Sequence, residues 1–289
     1  AGASKVDQRS FADQTVSQSD TTQALIGGQM TVSNKPVVTV LTAPGESAPL
    51  SLLILVFALL VLWRRRTTTR FVSHRPLGIV GALVGGVGAV VYAVAAGLGL
   101  APLIAATLSV GAMVASTGAL HEDGLADTVD GFGGGRDRAA TLRIMRDSHL
   151  GTFAAVALFL MLALRVVSLA ALDDSITVGS ILVATAAPSR TVMVAIMAWQ
   201  VPARSDGLGA SSGVPDAGTV SIAALISIAI VFAITPALVA VGVILAVATA
   251  GTAVAWLAQR QIGGHTGDVL GGAQQVSEVV ALVVAVALS

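Results

Sequence analysis

The chain has 289 residues, of which 55% are hydrophobic and 11% are charged, and its formal net charge is +0. Soluble domains carry about 25% charged residues, so this composition indicates a membrane protein. The balanced charge gives no general attraction for nucleic acid, and the lack of cysteine excludes both a disulfide framework and a thiolate metal site.

The N-terminal region differs in composition from everything that follows. Residues 1–48 are rich in Ser, Thr, Gln and Asp and have no sustained apolar period, which predicts a polar, disordered tail. Residues 49–66 hold the apolar run PLSLLILVFALLVLW followed by three arginines. This run is shorter than the about 20 residues that a membrane span needs, so it predicts either an extra membrane anchor or an uncleaved signal-like segment.

Seven further apolar blocks follow, and each predicts a transmembrane helix. They lie at approximately residues 77–100, 101–120, 150–172, 176–201, 219–235, 236–257 and 268–288. Together with the anchor, they predict an all-α, polytopic membrane helical bundle of about seven or eight spans.

The positions of the arginines predict the orientation of the bundle. The arginine run at 64–66 marks a cytoplasmic end, because positive charge accumulates on that side of a membrane. Counting crossings from there places residues 121–149, 201–211 and 259–268 on the same side, and each of these segments contains arginine. The sequence therefore predicts a multi-pass membrane protein whose three polar segments lie on the cytoplasmic face.

The stretch HEDGLADTVDGFGGG, residues 121–135, concentrates acids in an otherwise apolar chain. Asp123, Asp127 and Asp130 are spaced i, i+4 and i+7, so they share one face if the stretch is helical. Like charges so close to a bilayer are costly, and Mg²⁺, which binds hard oxygen ligands together with substrate phosphate, would offset the repulsion. His121 leaves a mixed His/carboxylate site open. The candidate metal ligands are Asp123, Asp127, Asp130, Glu122 and Asp147.

Glycines and arginines that follow the acids indicate an anion site. Gly133 and Gly134 belong to a glycine-rich run whose backbone N–H groups can approach an anion closely. Arg143 and Arg146 are spaced i, i+3, as a forked phosphate clamp requires. Acids, glycines and arginines in this order favour phosphoryl or phosphodiester transfer. The alternative is a solvated connector whose charges pair with one another.

The other two polar segments contribute further candidates for substrate contact. PARSDGLGAS contains Arg204, and IGGHTGDVLGG contains His265 and Asp268. Asp268 is also a secondary candidate for metal binding or for orienting a ligand. The full set of candidate substrate contacts is Arg143, Arg146, Arg190, Arg204, Gly133, Gly134, His265 and Asp268.

Three charged residues lie within predicted spans. An ionisable group in a membrane segment is a functional hypothesis by default. Arg190 is therefore assigned to a ligand phosphate, whereas Arg165 is predicted to pair or to reach the membrane surface. Glu278 is either functional or a structural partner of Arg190 or Arg165.

Four motifs in this order, HEDGLADTVDGFGGG, IMRDSHLGTFA, PARSDGLG and IGGHTGDVLGG, resemble those of cobalamin synthases, the adenosylcobinamide-GDP ribazoletransferase family. The segment RPLGIVGALVGGVGA also resembles an early element of that family. The resemblance covers about residues 75–288 and implies that 75–289 is a membrane catalytic domain. It also implies Mg²⁺ dependence, a location in the lipid bilayer of the inner membrane, and a homo-oligomer or association with other cobamide-assembly enzymes.

The resemblance implies a specific reaction. The hydroxyl of α-ribazole, or of its 5′-phosphate, attacks the cobinamide-linked phosphate of adenosylcobinamide-GDP. GMP leaves, and adenosylcobalamin or its 5′-phosphate forms. Mg²⁺ on the aspartates would neutralise the diphosphate, and a nearby carboxylate or imidazole would accept the hydroxyl proton. The catalytic candidates are Glu122, Asp123, Asp127 and His121, with His149 and His265 as rival bases.

Two other functions remain open at this stage. A CDP-alcohol phosphotransferase also uses Asp-Gly helix ends and Mg²⁺, but here Asp127 stands where that family's pattern has arginine. A secondary transporter would use Arg165, Arg190 and Glu278 to line a pathway. The sequence shows no inverted repeat of the acidic motif, which disfavours the transporter.

Overall fold

The computed structural model describes residues 77–172 and 174–289, and regular structure in this part of the chain is helical. The predicted tail (1–48) and anchor (49–66) lie outside the described residues. The helices of the described part, in chain order, are α1 (Leu77–Gly97), α2 (Pro102–Thr117), α3 (Leu120–Gly134), α4 (Arg138–Ile144), α5 (Thr152–Ala170), α6 (Ser175–Trp199), α7 (Leu208–Ser211), α8 (Ala217–Ile234), α9 (Ala237–Ile262) and α10 (Gly267–Ala287).

Six of these helices, α1, α5, α6, α8, α9 and α10, are long and apolar enough to cross a membrane. Helices α2 and α3 meet at an angle of 88° and together qualify as one broken span or a re-entrant pair. The prediction of an all-α, polytopic membrane bundle is therefore confirmed. The predicted block 101–120 corresponds to α2, which has only 16 residues.

The sharp bend between α2 and α3 has a backbone cause. Gly118 ends α2 with φ +66°, and Ala119 follows with φ +59°. Two successive residues in the left-handed region end one helix and turn the chain before the next begins. An alanine in this region is unusual because its Cβ is crowded. Consequently the acidic stretch does not continue the apolar helix before it but starts a helix in a new direction.

The starts of several helices are set by acidic or hydroxyl side chains that accept backbone N–H groups. Asp137 accepts from Ala140 at the start of α4, and Asp174 does the same for Ile176 and Thr177 at the start of α6. Asp216 and Thr266 begin α8 and α10 in the same way. Several of the chain's few acids are therefore helix caps, which stabilise by about 1 kcal/mol each.

Helices α6 and α10 form the centre of the bundle and are its most buried spans. Helix α6 packs on α1, α8 and α10. Where α1 meets α6, a Cβ on Gly85 would lie 2.6 Å from the backbone oxygen of Leu182, so only glycine permits this approach.

The acidic helix α3 packs on α10 in the same close manner. A Cβ on Gly124 would lie 2.8 Å from the backbone oxygen of Asp268 and 3.2 Å from Cα of Gly271. A Cβ on Gly272 would meet the Thr128 side chain at 3.3 Å. The glycine of the Asp123-Gly124 pair is therefore a helix-packing position, and it brings the acids of α3 to the start of α10.

Candidate active site

Hydrogen bonds join the three polar segments at one end of the bundle. The backbone N–H of Ala203 donates to the His265 carbonyl (2.7 Å), and that of His265 donates to Val201 (3.0 Å). Arg138 at the start of α4 donates through Nε to the Ile262 carbonyl (2.7 Å) and through Nη2 to that of Ala203 (2.9 Å). The predicted meeting of these three segments is confirmed, whereas the membrane face on which they lie remains a prediction.

Three carboxylates and one arginine from these segments form what we call the carboxylate cluster: Asp123 and Asp127 of α3, Asp268 of α10, and Arg204. Helix α3 is the second half of the α2–α3 pair that qualifies as a broken span. Asp127 interacts electrostatically with Asp123, Asp268 and Arg204. Three carboxylates therefore face one arginine, and a bound cation would offset their mutual repulsion.

Arg204 presents an unsatisfied donor beside these acids. Its Nη2 lies 3.2 Å from Oδ2 of Asp268, and its Nε lies 3.8 Å from Oδ1 of Asp206. Its Nη1 is buried and has no hydrogen-bond partner among the residues that the structure describes. Buried guanidinium donors are normally satisfied, so this atom is suited to an anionic oxygen of a ligand.

The two predicted phosphate-clamp arginines of α4 and its end lie on the surface. Arg146 is exposed and donates through Nη2 to both carboxylate oxygens of Asp206, each at 2.7 Å. Because Asp206 also faces Arg204, it links the two arginines. Arg143 is exposed in the last turn of α4. The structure thus brings Arg146 near Arg204 and leaves Arg143 facing outwards.

Two of the predicted metal ligands have other partners. Asp130 accepts the N–H groups of Gly151 (2.7 Å) and Ala154 (2.9 Å) and so caps α5. Asp147 is exposed and its Oδ1 contacts Nδ1 of His149, a contact that lowers the pKa of Asp147 and raises that of His149. Asp130 still acts electrostatically on Asp127, but both of its oxygens are engaged by the backbone.

A second polar group, which we call the buried network, lies among α3, α5, α6 and α10. Arg165 donates to Glu278 (2.7 Å) and to Glu122 (3.4 Å). Gln275 donates to Glu122 at 3.0 Å, and Arg190 donates to Glu278 at 3.3 Å. Glu278 is therefore a structural partner of both arginines, which is the second of the two alternatives that the sequence left open for it.

Two predicted site residues, Arg190 and Glu122, belong to this buried network rather than to the carboxylate cluster, and a third, His121, lies within its electrostatic reach. Arg190 is 3% exposed and is committed to Glu278 and to the Ala186 carbonyl. Glu122 faces Gln275 and Arg165, and His121 interacts electrostatically with the two arginines and Glu278. A charge inside an apolar bundle needs a nearby partner, which explains why these side chains turn inwards.

Gly133 and Gly134, the glycines of the predicted anion site, lie in the last turn of α3. A Cβ on Gly133 would meet the ring of Phe153 at 2.9 Å, and one on Gly134 would meet Cδ1 of Ile144 at 3.3 Å. These glycines permit close packing at the helix end. Sequence alone does not separate this use of glycine from an anion-binding turn.

His265, a predicted substrate contact and rival base, is 2% exposed. Its ring is packed against backbone groups of Gly209 and Gln200, and burial lowers the pKa of the imidazole. The residue also supplies both backbone hydrogen bonds that join its segment to residues 201–203. The structure therefore gives His265 a role in holding two of the polar segments together.

The donor chemistry of the cluster fits Mg²⁺. Among the described residues, no group of three or more His, Asp or Glu side chains forms a cage that could by itself hold a metal ion. Mg²⁺ does not require such a cage, since it is usually bound by one or two carboxylates, water and substrate phosphate oxygens. Asp123, Asp127 and Asp268 supply all-oxygen donors next to an unsatisfied arginine, which is the arrangement a metal–phosphate ligand needs.

A cavity of about 270 Å³ lies elsewhere, between α6, α8 and α9. Its walls are almost entirely apolar, with Pro188 and Trp199 among the lining residues. It contains none of the predicted site residues, so it does not compete with the carboxylate cluster as the place of polar chemistry.

Comparison with known proteins decides the family. The family model described as cobalamin-5-phosphate synthase matches residues 54–286. The chain belongs to the cobalamin-5-phosphate synthase family. The match begins ahead of residue 75, where the resemblance noted from the sequence begins, and so includes part of the predicted anchor.

Relatives of this cobalamin-5-phosphate synthase family member carry the name adenosylcobinamide-GDP ribazoletransferase. One from Bradyrhizobium diazoefficiens is 47% identical over 212 residues, which cover 73% of this chain and 81% of the relative. One from Mesorhizobium japonicum is 47% identical over 216 residues (73% and 82%), and one from Rhizobium meliloti is 46% identical over 188 residues (62% and 72%). No solved structure matches the chain. The chain is thus a membrane transferase of cobalamin synthesis.

Two residues that build the site were not singled out from sequence. Arg138 joins three segments, and Gln275 holds Glu122. The available signal was weak: Gln275 is a polar residue in an apolar block, while Arg138 looks like an ordinary surface charge. Their roles depend on contacts between segments far apart in sequence.

Proposed function

We propose that the chain transfers phosphocobinamide from adenosylcobinamide-GDP to α-ribazole or to α-ribazole 5′-phosphate, with release of GMP, at the carboxylate cluster. The observation that carries the proposal is the meeting of Asp123, Asp127 and Asp268 with Arg204, whose Nη1 is an unsatisfied donor. A diphosphate needs both neutralisation of its charge and donors to its oxygens. The cluster has the groups for both.

Asp127 and Asp268 would hold Mg²⁺, with Asp123 at the exposed edge. Bound there, the metal would neutralise phosphate charge and stabilise the departing GMP. Arg204 would donate through Nη1 to a phosphate oxygen, while its Nη2 keeps Asp268 in place. Arg146, which is held at the surface by Asp206, would contact the nucleotide part.

The chemical step balances with these groups. A new O–P bond forms between the ribazole hydroxyl oxygen and the cobinamide-linked phosphorus, and the bond from that phosphorus to the GMP oxygen breaks. The hydroxyl proton passes to a carboxylate, for which we assign Asp123 because it is the exposed member of the cluster on α3. GMP leaves with the bridging oxygen.

We also propose that the cluster faces the cytoplasm and that the membrane is the inner membrane. The arginines of the three polar segments support this orientation, because short loops rich in Arg are retained on that side. Labelling of single cysteines introduced at Arg143 and Ile176, which lie in the exposed part of α4 and at the start of α6, would test it in sealed vesicles. Labelling of both from the same side would contradict the proposed topology.

The activity test measures GMP release from adenosylcobinamide-GDP by the purified protein in lipid nanodiscs. Release must depend on α-ribazole or its 5′-phosphate, and the two acceptors are compared directly. Asp127→Asn should abolish turnover. The matched control is Asp174→Asn, which makes the same chemical change at the cap of α6. Acceptor-independent release, or full turnover by Asp127→Asn, would refute the assignment.

A further inference from the structure

Glu122 and Asp123 are neighbours on α3 but have different surroundings. Glu122 is 8% exposed, and its Oε1 accepts from Gln275 Nε2 of α10 (3.0 Å) and from Arg165 Nη1 of α5 (3.4 Å). Asp123 is exposed and belongs to the carboxylate cluster. Because successive helical residues are about 100° apart around the axis, the direction of one side chain fixes the direction of the other.

The main surface by which α3 contacts α10 cannot fix this direction by itself. It consists largely of backbone, with Gly124 against Asp268 and Gly271, and Gly272 against Leu125 and Thr128. Small residues allow helices to approach closely but provide few side chains that interlock. A rotation of α3 about its axis is therefore opposed by side-chain contacts on its other faces. Glu122 holds the first turn through Gln275 and Arg165, and Asp130 holds the last turn through the N–H groups of Gly151 and Ala154.

The composition of the buried network favours one relative arrangement of the helices that it joins. Its charged side chains are two arginines and two glutamates, Arg165 and Arg190 with Glu122 and Glu278. A buried ionic group of this kind is seldom more stabilising than apolar packing, but breaking one contact is costly because the remaining charge stays buried. Such groups are suited to fixing a register.

We infer that Glu122 and Gln275 are positioning residues, which fix the rotation of α3 so that Asp123 and Asp127 face Asp268 and Arg204. The inference rests on the proposed function for its effect on turnover, whereas the rotation of α3 can be measured without it. Side chains extend about 5–6 Å from a helix axis, so a rotation of about 10° displaces a carboxylate by about 1 Å. A displacement of this size reduces an enzymatic rate by about 100-fold.

Engineered cysteines provide a direct measure of the rotation, because the chain has none of its own. A Cβ at position 272 would lie 3.5 Å from Cβ of Thr128. This spacing is within the range of about 3.5–4.5 Å found in disulfides. The background variant is therefore Thr128→Cys with Gly272→Cys, and the rate of disulfide formation is followed by the loss of maleimide-reactive thiols.

Glu122→Gln and Gln275→Met are then introduced into this background. We expect disulfide formation to be slower by about fivefold or more in each variant, because the reacting Cβ atoms move apart. Turnover of the reduced protein should fall by about 10- to 100-fold, mainly in kcat. The double variant should be no worse than the worse single variant, since both changes act on the same contact. Glu122→Gln weakens that contact by removing the charge of the acceptor, and Gln275→Met removes the donor. Gln275→Met changes no charge, so it also guards against misfolding of Glu122→Gln.

The matched control is Ser227→Ala, which removes a buried hydroxyl contact to Thr191 (2.8 Å) between α6 and α8. We expect Ser227→Ala to keep both the disulfide rate and kcat, because a loss of stability alone changes neither quantity. The pH dependence of kcat separates positioning from proton transfer by Glu122, whose Oε2 has no hydrogen-bond partner in the described part of the chain. A positioning role lowers kcat of Glu122→Gln without changing the shape of the profile.

Unchanged disulfide rates in Glu122→Gln and Gln275→Met would overturn the inference. So would a Glu122→Gln profile that loses its acidic limb, since that result assigns Glu122 to accepting the hydroxyl proton. Asp127→Asn in the same background should lose turnover and keep the disulfide rate. Retained turnover in Asp127→Asn would refute the proposed site but not the rotational role of Glu122.

Discussion

Gly124→Ala provides the sharpest test of how the fold assembles the site. The added Cβ would lie 2.8 Å from the Asp268 carbonyl oxygen and 3.2 Å from both the Asp268 Cα and the Gly271 Cα. All three atoms are backbone, so no side chain can rotate away. Because the closest carbon–oxygen contacts in proteins are about 3.3 Å, α3 must move from α10 by about 0.5 Å.

This displacement has two calculable consequences. Overpacking costs about 1–3 kcal/mol of unfolding free energy, and replacement of a helical glycine by alanine returns about 0.5–1 kcal/mol. The net loss is therefore about 0–2.5 kcal/mol. Misplacement by 1 Å costs about 100-fold in rate, so a shift of half that size should lower kcat by about tenfold.

Two glycine variants serve as controls for Gly124→Ala. In Gly85→Ala the new Cβ lies 2.6 Å from the Leu182 carbonyl oxygen, so overpacking occurs between α1 and α6, away from the carboxylate cluster. In Gly111→Ala nothing lies within 4 Å of the new Cβ. The assay is GMP release per folded molecule, with stability measured by thermal unfolding in detergent. Normal kcat in Gly124→Ala, or an equal loss in Gly85→Ala, would refute the reasoning.

Three further outcomes are expected. Arg204→Lys should reduce kcat/KM by about tenfold or more, because an ammonium group cannot keep the Asp268 contact and also donate from the position of Nη1. The measurement is a titration with adenosylcobinamide-GDP, and an unchanged kcat/KM would remove Arg204 from the site. Asp130→Asn loses one of the two acceptor oxygens at the start of α5, so it should lower the free energy of unfolding by about 0.5–1 kcal/mol and leave kcat near normal. Abolished turnover would instead make Asp130 a metal ligand. His265 has a lowered pKa when folded, so the unfolded chain binds its proton first as pH falls, and stability should decrease below about pH 6.5. His265→Asn should weaken that decrease in thermal-unfolding scans from pH 8 to 5, and an unaltered slope would contradict this origin.

The local pattern of the sequence predicted which acids share a helical face, but it could not predict the contacts that those acids make with other segments. The i, i+4 spacing placed Asp123 and Asp127 on one face of α3, and both belong to the cluster. The same spacing gave Asp130 an equal claim. The structure distinguishes Asp130 from these two residues, because α5 begins beside Asp130. The N–H groups of Gly151 and Ala154 occupy both carboxylate oxygens of Asp130.

The sequence by itself determined that this is a helical membrane protein, which segments are polar, and which acids share a helical face. Apolar length and periodicity report these properties directly, since they depend on a residue's own helix. Only the tertiary structure decided that Asp268 faces Asp127, that Glu122 and Arg190 turn into the buried network, and that glycine is needed at position 124. The helical period gives the angle of a side chain about the axis of its helix. Which helix lies opposite that side chain, and at what distance, is set by packing between segments far apart in the chain.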